Sequence, residues 1–361
     1  MRPLLPLTGA AAVLLASAAV VALVVSPPGN PGRPADDVSD GTGARPVVDD
    51  RARRLLDRAA AAPATTPYHG VQFVSAWTSA GATSEVVDVV HDPAGGTTVR
   101  SDGTVRVPGR SVTLLAAGAP SIAGGGAVGL LVRHYSVAVA GTGRVAGRPV
   151  DVIAVRRPGS AAADPDAARF WLDGASGLVL RREVYDRRGR TTRASAFVEV
   201  TVGQGAVPAG AARTAWTATL DRSTLDRMRQ HGWHCPAALP GPLTLVDARR
   251  GGAGQDIVHL SYSDGIASVS VFEQRGRLDE TGLAGHAQRA TGDHEVWVRG
   301  EVPRRVVWSS GGTVYTVVAD APERTVDAVV AALPHRGVGD GPLGRLGRGL
   351  DRVGSWFNPF G

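Results

Sequence analysis

VHLSYSDGIASVSVFEQRG, residues 258–276, decides the fold class. Two alternating runs flank Ser263-Asp264-Gly265. Period-two alternation is the mark of a strand with one covered face. Asp-Gly between two such runs is a strong hairpin signal, because a tight turn needs the positive backbone angles that a bulky residue resists. Ile257, His259, Ser261, Val269 and Val271 alternate against Val258, Leu260, Tyr262, Ser268, Ser270 and Phe272, so one sheet face can be largely apolar. The hairpin Val258–Gln274 is therefore expected to be a structural spine, and the functional alternative is that Asp264 contacts a partner directly.

Working outward, the same pattern recurs. Upstream, 71–77, 84–91, 97–107, 134–140, 150–157, 170–173, 178–185 and 193–200 read as short strands. Asp92-Pro93, Asp102-Gly103, Gly147-Arg148-Pro149, Gly174–Gly177 and Arg188-Gly189 supply turns between them. Residues 112–133 are small and Gly-rich and fit one or two helices capping the sheet. GQGAVPAGAA (203–212) reads as a linker. Beyond it, strands are expected at 243–249, 256–262, 267–273, 294–300, 305–309 and 313–319, with helices near 221–230 and at 322–333. Asp320 can cap the last helix, with Pro322 in its first turn and Glu323 completing a capping box. DDRARRLLDRAAAA (49–62) predicts a helix that Pro63 ends. The fold class is α+β, with a strongly curved antiparallel sheet followed by a smaller mixed sheet-and-helix domain. The expected divisions are an anchor or signal segment (1–25), a flexible linker (26–50), a first domain (51–205), a second domain (213–335) and a tail (336–361).

Composition excludes several classes. Of 361 residues, 43% are hydrophobic and 20% charged, which is globular. The 47 glycines and 24 prolines favour strands and turns over a helical bundle. All 39 basic residues are arginine, so a Walker A loop and a Schiff-base lysine are impossible. Cys235 is the single cysteine, which rules out an intrachain disulfide and a CxxC pair. The net charge of +6 is a mild bias with no basic stripe interleaved with aromatics, so no nucleic acid is expected.

Leu4–Val25 is almost wholly apolar and follows Arg2, which places the N-terminus in the cytoplasm and the remainder outside. The run is long enough to span a bilayer and its cleavage sites are poor, so an uncleaved plasma-membrane anchor is favoured over a secreted product of signal cleavage. No cysteine follows it, which excludes a lipoprotein.

Gly141-Thr-Gly143-Arg-Val-Ala146 fits a relaxed dinucleotide fingerprint, but a strand follows where a helix is required, so a hairpin is the reading. His231, His234 and Cys235 cluster without a second ligand pair and read as two solvated histidines beside a buried cysteine. No nucleophile elbow, HExxH motif or EF-hand loop occurs, and no enzyme, metal or cofactor is expected. Leu343, Leu346, Leu350, Val353 and Phe357 recur at helical spacing, with Trp356 beside them and Arg345, Arg348 and Arg352 on other faces. This basic amphipathic tail suits a membrane surface or a partner groove, or packs back on its own domain.

Several stretches together resemble the RseB/MucB family of sigma-E factor regulatory proteins. They are Tyr68-His-Gly70-Val71, RVAGRPVDVIAV (144–155), FWLDGASGLVLRREVYDRRGR (170–190), LPGPLTLVDARR (239–250), the 258–276 hairpin and GEVPRRVVW (300–308). The resemblance implies a LolA/LppX-like first domain, a curved half-barrel with helices as a lid over an apolar cavity. It also implies a regulator that binds the extracytoplasmic segment of a membrane anti-sigma factor. Such a regulator shields its partner from a site-1 protease and releases it in response to envelope stress or a lipidic signal. The alternative is a lipid or lipoprotein carrier using the same cavity, and a structural envelope protein ranks last. Alternation plus resemblance makes Val71, Phe73, Trp77, Leu178, Leu180 and Val184 candidates for the cavity lining, with core packing as the competing reading.

Overall fold

The computed structural model describes residues 44–78, 81–94, 96–101, 125–203, 216–251, 257–283, 285–291, 294–300 and 303–335. Leu4–Val25 and the tail from Leu343 to Phe357 lie outside them. Among the described residues, no helix is long and apolar enough to cross a membrane.

The first half runs α1 (Asp50–Thr65), β1 (Tyr68–Thr78), β2 (Gly81–Asp92), β3 (Gly96–Ser101), α2 (Gly125–His134), β4 (Ser136–Val145), β5 (Arg148–Arg156), β6 (Ala168–Asp173), β7 (Val179–Tyr185) and β8 (Thr191–Val202). The eight strands form one antiparallel sheet in the order β3-β2-β1-β8-β7-β6-β5-β4. The runs expected to alternate in this half are strands where they are described, and residues 102–107 of the expected 97–107 strand lie outside the described residues. Asp49 starts α1 by accepting the Ala52 amide at 2.7 Å. Pro63 does not end the helix as expected. It sits in the last turn, and the chain leaves helical geometry only at Thr66. α1 and α2 cover the β4–β6 end of the sheet, burying Leu56, Leu131, Ile153, Phe170 and Leu172. Ala52, Ala59 and Ala60 give α1 a short-side-chain face in the same cluster.

Two turns explain the sequence motif at 170–190. Asp173 is wholly buried and takes Arg148 at 2.8 and 2.9 Å. It also accepts the Ser176 amide and hydroxyl at 2.8 and 2.6 Å, and Gly177 follows at φ +82°. Burial pushes the Asp173 carboxyl up, but Arg148 and Ser176 outweigh it and hold it below the usual carboxylate range. Asp186 closes the next turn by accepting the amides of Arg188 and Arg190 at 2.8 and 2.9 Å, with Gly189 at φ +76°. The dinucleotide-like run ends in a two-residue turn at Ala146 and Gly147, both at positive φ, as the hairpin reading requires.

The second half runs β9 (Trp216–Thr219), α3 (Arg222–Gln230), β10 (Thr244–Gly251), β11 (Ile257–Ser263), β12 (Ser268–Arg275), a 3-10 turn (Glu280–Leu283), β13 (Ala287–Thr291), β14 (His294–Arg299), β15 (Arg304–Ser310), β16 (Thr313–Asp320) and α4 (Glu323–Ala332). These strands form a second eight-stranded antiparallel sheet, β13-β14-β15-β16-β12-β11-β10-β9. With β9 and β13, which the sequence reading missed, it has as many strands as the first. Its core holds Leu260, Tyr262, Val271, Trp308, Val317 and the α4 residues Val326 and Val329.

The hairpin differs from its expected form in two respects. Ser263 pairs with Ser268, so Asp264–Ala267 is the loop, and within it only Gly265 has positive φ, at +99°. A loop of even length pairs even with odd residues. Tyr262 therefore faces Val269 and Leu260 faces Val271, while His259 pairs with Phe272 on the opposite face. The Asp264 carboxylate accepts the amides of Ile266 and Ala267 at 2.8 and 2.6 Å and shapes the loop.

His259 is 4% exposed and stacks on Phe272 at 4.4 Å, and burial pushes its imidazole down to about 4. The unfolded chain, with an ordinary histidine value near 6.5, binds the proton first as pH falls. Stability is expected to be full above about pH 6.5 and to decline toward pH 4 by roughly 3 kcal/mol. Urea unfolding across that range checks it, and His259→Gln should flatten this part of the profile.

A Cβ on Gly265 would stand 2.4 Å from the Leu131 Cα and 2.5 Å from its amide nitrogen, both in α2. Gly311 also has positive φ but has nothing within 4 Å. Gly265→Ala should cost about 3 kcal/mol or more, combining backbone strain with a collision, whereas Gly311→Ala should cost about 1 kcal/mol. Denaturant midpoints of the two variants give the comparison.

Candidate functional site at the junction of the sheets

Both sheets belong to one compact unit, and a buried ion cluster joins them. Arg182 on β7 pairs across the sheet with Ser195, and Arg193 on β8 pairs with Val184. Both side chains leave the same sheet face and meet the Asp320 carboxylate at the end of β16. Arg182 Nη1 bonds Asp320 Oδ2, and Arg193 Nη1 lies 3.3 Å from Oδ1. Arg182 also donates to the Ile266 carbonyl and Arg193 to the Ala321 carbonyl. All three side chains are about nine-tenths buried. Guanidinium suits this position because its planar fork serves a carboxylate and a backbone carbonyl together. A cavity of about 10 Å³ beside the cluster, lined by Val74, Ser75, Ser195 and Pro303, is roughly the room one water needs.

The capping role expected for Asp320 is thereby excluded. Pro322 is the N-cap of α4, with no side-chain bond, and Glu323 pairs with Arg304 at 2.8 Å instead of closing a capping box. Asp320 stands close enough to the helix to look like a cap in sequence, but two guanidiniums from the other sheet claim it. Arg182, which alternates with the apolar Leu180 and Val184 along β7, is the available signal.

The hairpin loop makes the second contact. Tyr135, just after α2, donates to Asp264 Oδ2 at 3.2 Å, and its phenol is raised by burial and by the Asp264 charge. Gly265 lies against Leu131, and Ile266 packs into the α1–α2 cluster. Asp264 thus bonds to Tyr135 of the protein's own first half.

The six cavity candidates do not share one face. Leu178 and Leu180 are 5% and 0% exposed within a packed cluster that also holds Tyr68, Val74, Ala76 and Phe197. Val184 joins the cluster under α1 and α2. Val71, Phe73 and Trp77 alternate with the core residues Val74 and Ala76 and so occupy the opposite face, where Phe73 is 39% exposed. Strand parity in β1 separates the two sets: its even-numbered residues face the core.

The histidine–cysteine loop is organised by a residue the sequence reading passed over. Glu273, on the core face of β12, is wholly buried and accepts the amides of His234 and Cys235 at 2.9 and 2.7 Å. Burial raises its carboxyl, and these two bonds work against that rise. Cys235 is also wholly buried, and burial with the neighbouring Glu273 pushes its thiol up to about 12. His231 and His234 are exposed, and no group of His, Cys, Asp and Glu among the described residues could hold a metal ion.

Residues 123–227, from α2 through α3, match the family model of the MucB/RseB N-terminal domain. The resemblance is to the MucB/RseB family. Sigma factor AlgU regulatory protein MucB of Pseudomonas aeruginosa is 26% identical over 209 residues, 56% of this chain and 61% of that protein. The chain thus aligns with about three fifths of that relative. A crystal structure of MucB is 22% identical, covering 79% of this chain and 98% of that one, with a TM-score of 0.40. MucB in complex with MucA(peri) is 25% identical, covering 77% and 96%, with a TM-score of 0.35. The fold assignment rests on the strand pairing described above. The MucB/RseB-like segment supplies Leu131, Tyr135, Arg182 and Arg193, one side of the junction, while Asp264 and Asp320 lie outside it.

Removing one partner of a buried ion cluster leaves uncompensated charge. Asp320→Ala is expected to lower stability by about 3–5 kcal/mol. Asp57→Ala, which removes an exposed Arg53 pair on α1, should change it by less than about 0.5 kcal/mol. Chemical denaturation of both variants tests the contrast.

Proposed function

We propose that the protein is an extracytoplasmic regulator that binds the extracytoplasmic segment of a membrane anti-sigma factor and controls its proteolysis in response to envelope stress or a lipidic signal. The observation that carries this reading is the match of 123–227 to the MucB/RseB N-terminal domain, supported by a relative named as a sigma factor regulatory protein. In this reading the chain acts by binding rather than by catalysis. Leu4–Val25 would hold it at the outer face of the plasma membrane, or would be removed as a signal segment. The carrier alternative draws no support from Leu178 and Leu180, which are spent on a packed core.

The test mixes the protein with the extracytoplasmic segment of the anti-sigma factor from the same cell. Saturable binding is expected, together with slower cleavage of that segment by the site-1 protease. Absence of binding, or binding that leaves cleavage unchanged, overturns the proposal. Mass spectrometry of proteins and lipids that co-purify with the chain from membranes would identify the partner and any lipidic signal.

A further inference from the structure

Two consecutive arginines on β15 meet opposite surroundings. Arg304 lies on the core face with Val306 and Trp308, is 4% exposed, and meets Glu323 at 2.8 Å and Asp327 at 3.7 Å. Arg305 belongs to the other face. Its cross-strand partners there are Arg299 on β14 and Val318 on β16. Like charges directly opposite each other destabilise a sheet. Arg305 is partly buried, and it has no hydrogen bond or ion pair with a described residue. Burial and the Arg299 charge both push its guanidinium below the ordinary arginine value.

Among the described residues, the carboxylates on this face of β14 and β16 are committed elsewhere. Asp320, two residues beyond Val318, is shared by Arg182 and Arg193. Glu295, four residues before Arg299, takes the Gln288 amide at 2.7 Å. The chain after the 3-10 turn lies against Arg299, where a Cβ on Gly285 would stand 3.7 Å from its Cζ. The surface beside the arginine pair is apolar. Trp297 and Val307 are direct partners two residues along the same strands, and Val307 and Val318 are 6% and 1% exposed.

A guanidinium partly removed from water beside a second one costs free energy unless an anion meets it. Apolar surroundings strengthen such a contact by lowering the local dielectric. A planar carboxylate matches one guanidinium fork. A phosphoryl group has three terminal oxygens and close to two negative charges at neutral pH, so it can accept from two guanidiniums together. We infer that Arg299 and Arg305 form a binding site for a phosphoryl group, carried by a soluble phosphate monoester or by a lipid headgroup, with Trp297 and Val307 against the adjoining part of the ligand. The site lies in the second half, outside 123–227, and stands independently of the anti-sigma reading.

The test titrates three probes into the full chain in phosphate-free buffer with detergent, following the heat of binding and the thermal midpoint. The probes are inorganic phosphate, acetate, and dihexanoyl phosphatidic acid, a short-chain lipid with a monoester headgroup. Phosphate is expected to bind saturably and to raise the midpoint, and acetate at the same concentration to do neither. Arg305→Gln should weaken phosphate binding about tenfold or more, and Arg305→Lys, which keeps the charge but loses the fork, should weaken it less. Without phosphate, the glutamine variant should melt at the parent temperature or above it, because it removes an uncompensated charge. A lower midpoint there would make Arg305 a structural residue and overturn the proposal. Equal affinity for phosphate and the lipid assigns the site to the phosphoryl group alone. Tighter binding of the lipid that falls to the phosphate level in Trp297→Ala assigns it to a lipid headgroup. Phosphate binding that survives Arg305→Gln, an equal response to acetate, or no saturable binding of phosphate or lipid overturns the proposal.

Discussion

The architecture turns on one carboxylate, Asp320, shared by Arg182 and Arg193. Each sheet has its own cluster of buried apolar residues, and Ile266 of the second half also packs against the α1–α2 cluster of the first. Beside the hairpin loop seated on α2, one sheet is joined to the other by a set of charges taken out of water. Burying ions is costly and is offset only when geometry is good and the remaining donors are satisfied. Here the spare guanidinium donors reach the carbonyls of Ile266 and Ala321, so the cluster specifies position as well as attraction.

The hairpin around Asp264 extends the same logic. Its strands supply the centre of the second core, and its loop is seated on α2 of the first half. Glycine at 265 is demanded twice, once by a φ of +99° and once by the closeness of Leu131. A motif that in isolation reads as a simple turn is in fact a point of docking. That dual demand gives a physical reason for Ser-Asp-Gly at this place without assigning it any chemistry.

Much of the sheet framework was legible in the sequence because a half-covered strand prints its period of two directly, and turn residues mark the ends. β9 and β13 escaped because the first is four residues long and the second, AQRAT, has no large apolar side chain and no alternation to read. The meaning of Asp320 was hidden for a different reason. Helix capping is local and visible at short spacing, whereas a bond to residues 138 and 127 positions away is not. The six cavity candidates failed to converge because choosing apolar residues does not say which face of a strand they occupy. Phe73 and Leu180 are equally apolar, and only strand parity and packing tell them apart.

The strand order of the first sheet bears on how the chain comes to be folded. β1 lies between β2 and β8, so residues 68–76 must find partners at 193–202. Closing so long a loop delays the pairing, and topologies of this kind assemble slowly. Until residue 202 is available, β1 has an open edge and β2–β3 form an incomplete sheet with apolar residues such as Val87 and Val89 unburied. The Asp320 contact comes later still in the chain. A chain wired in this way stays open through most of its synthesis, with one edge of β1 unpaired until residue 202 has been made.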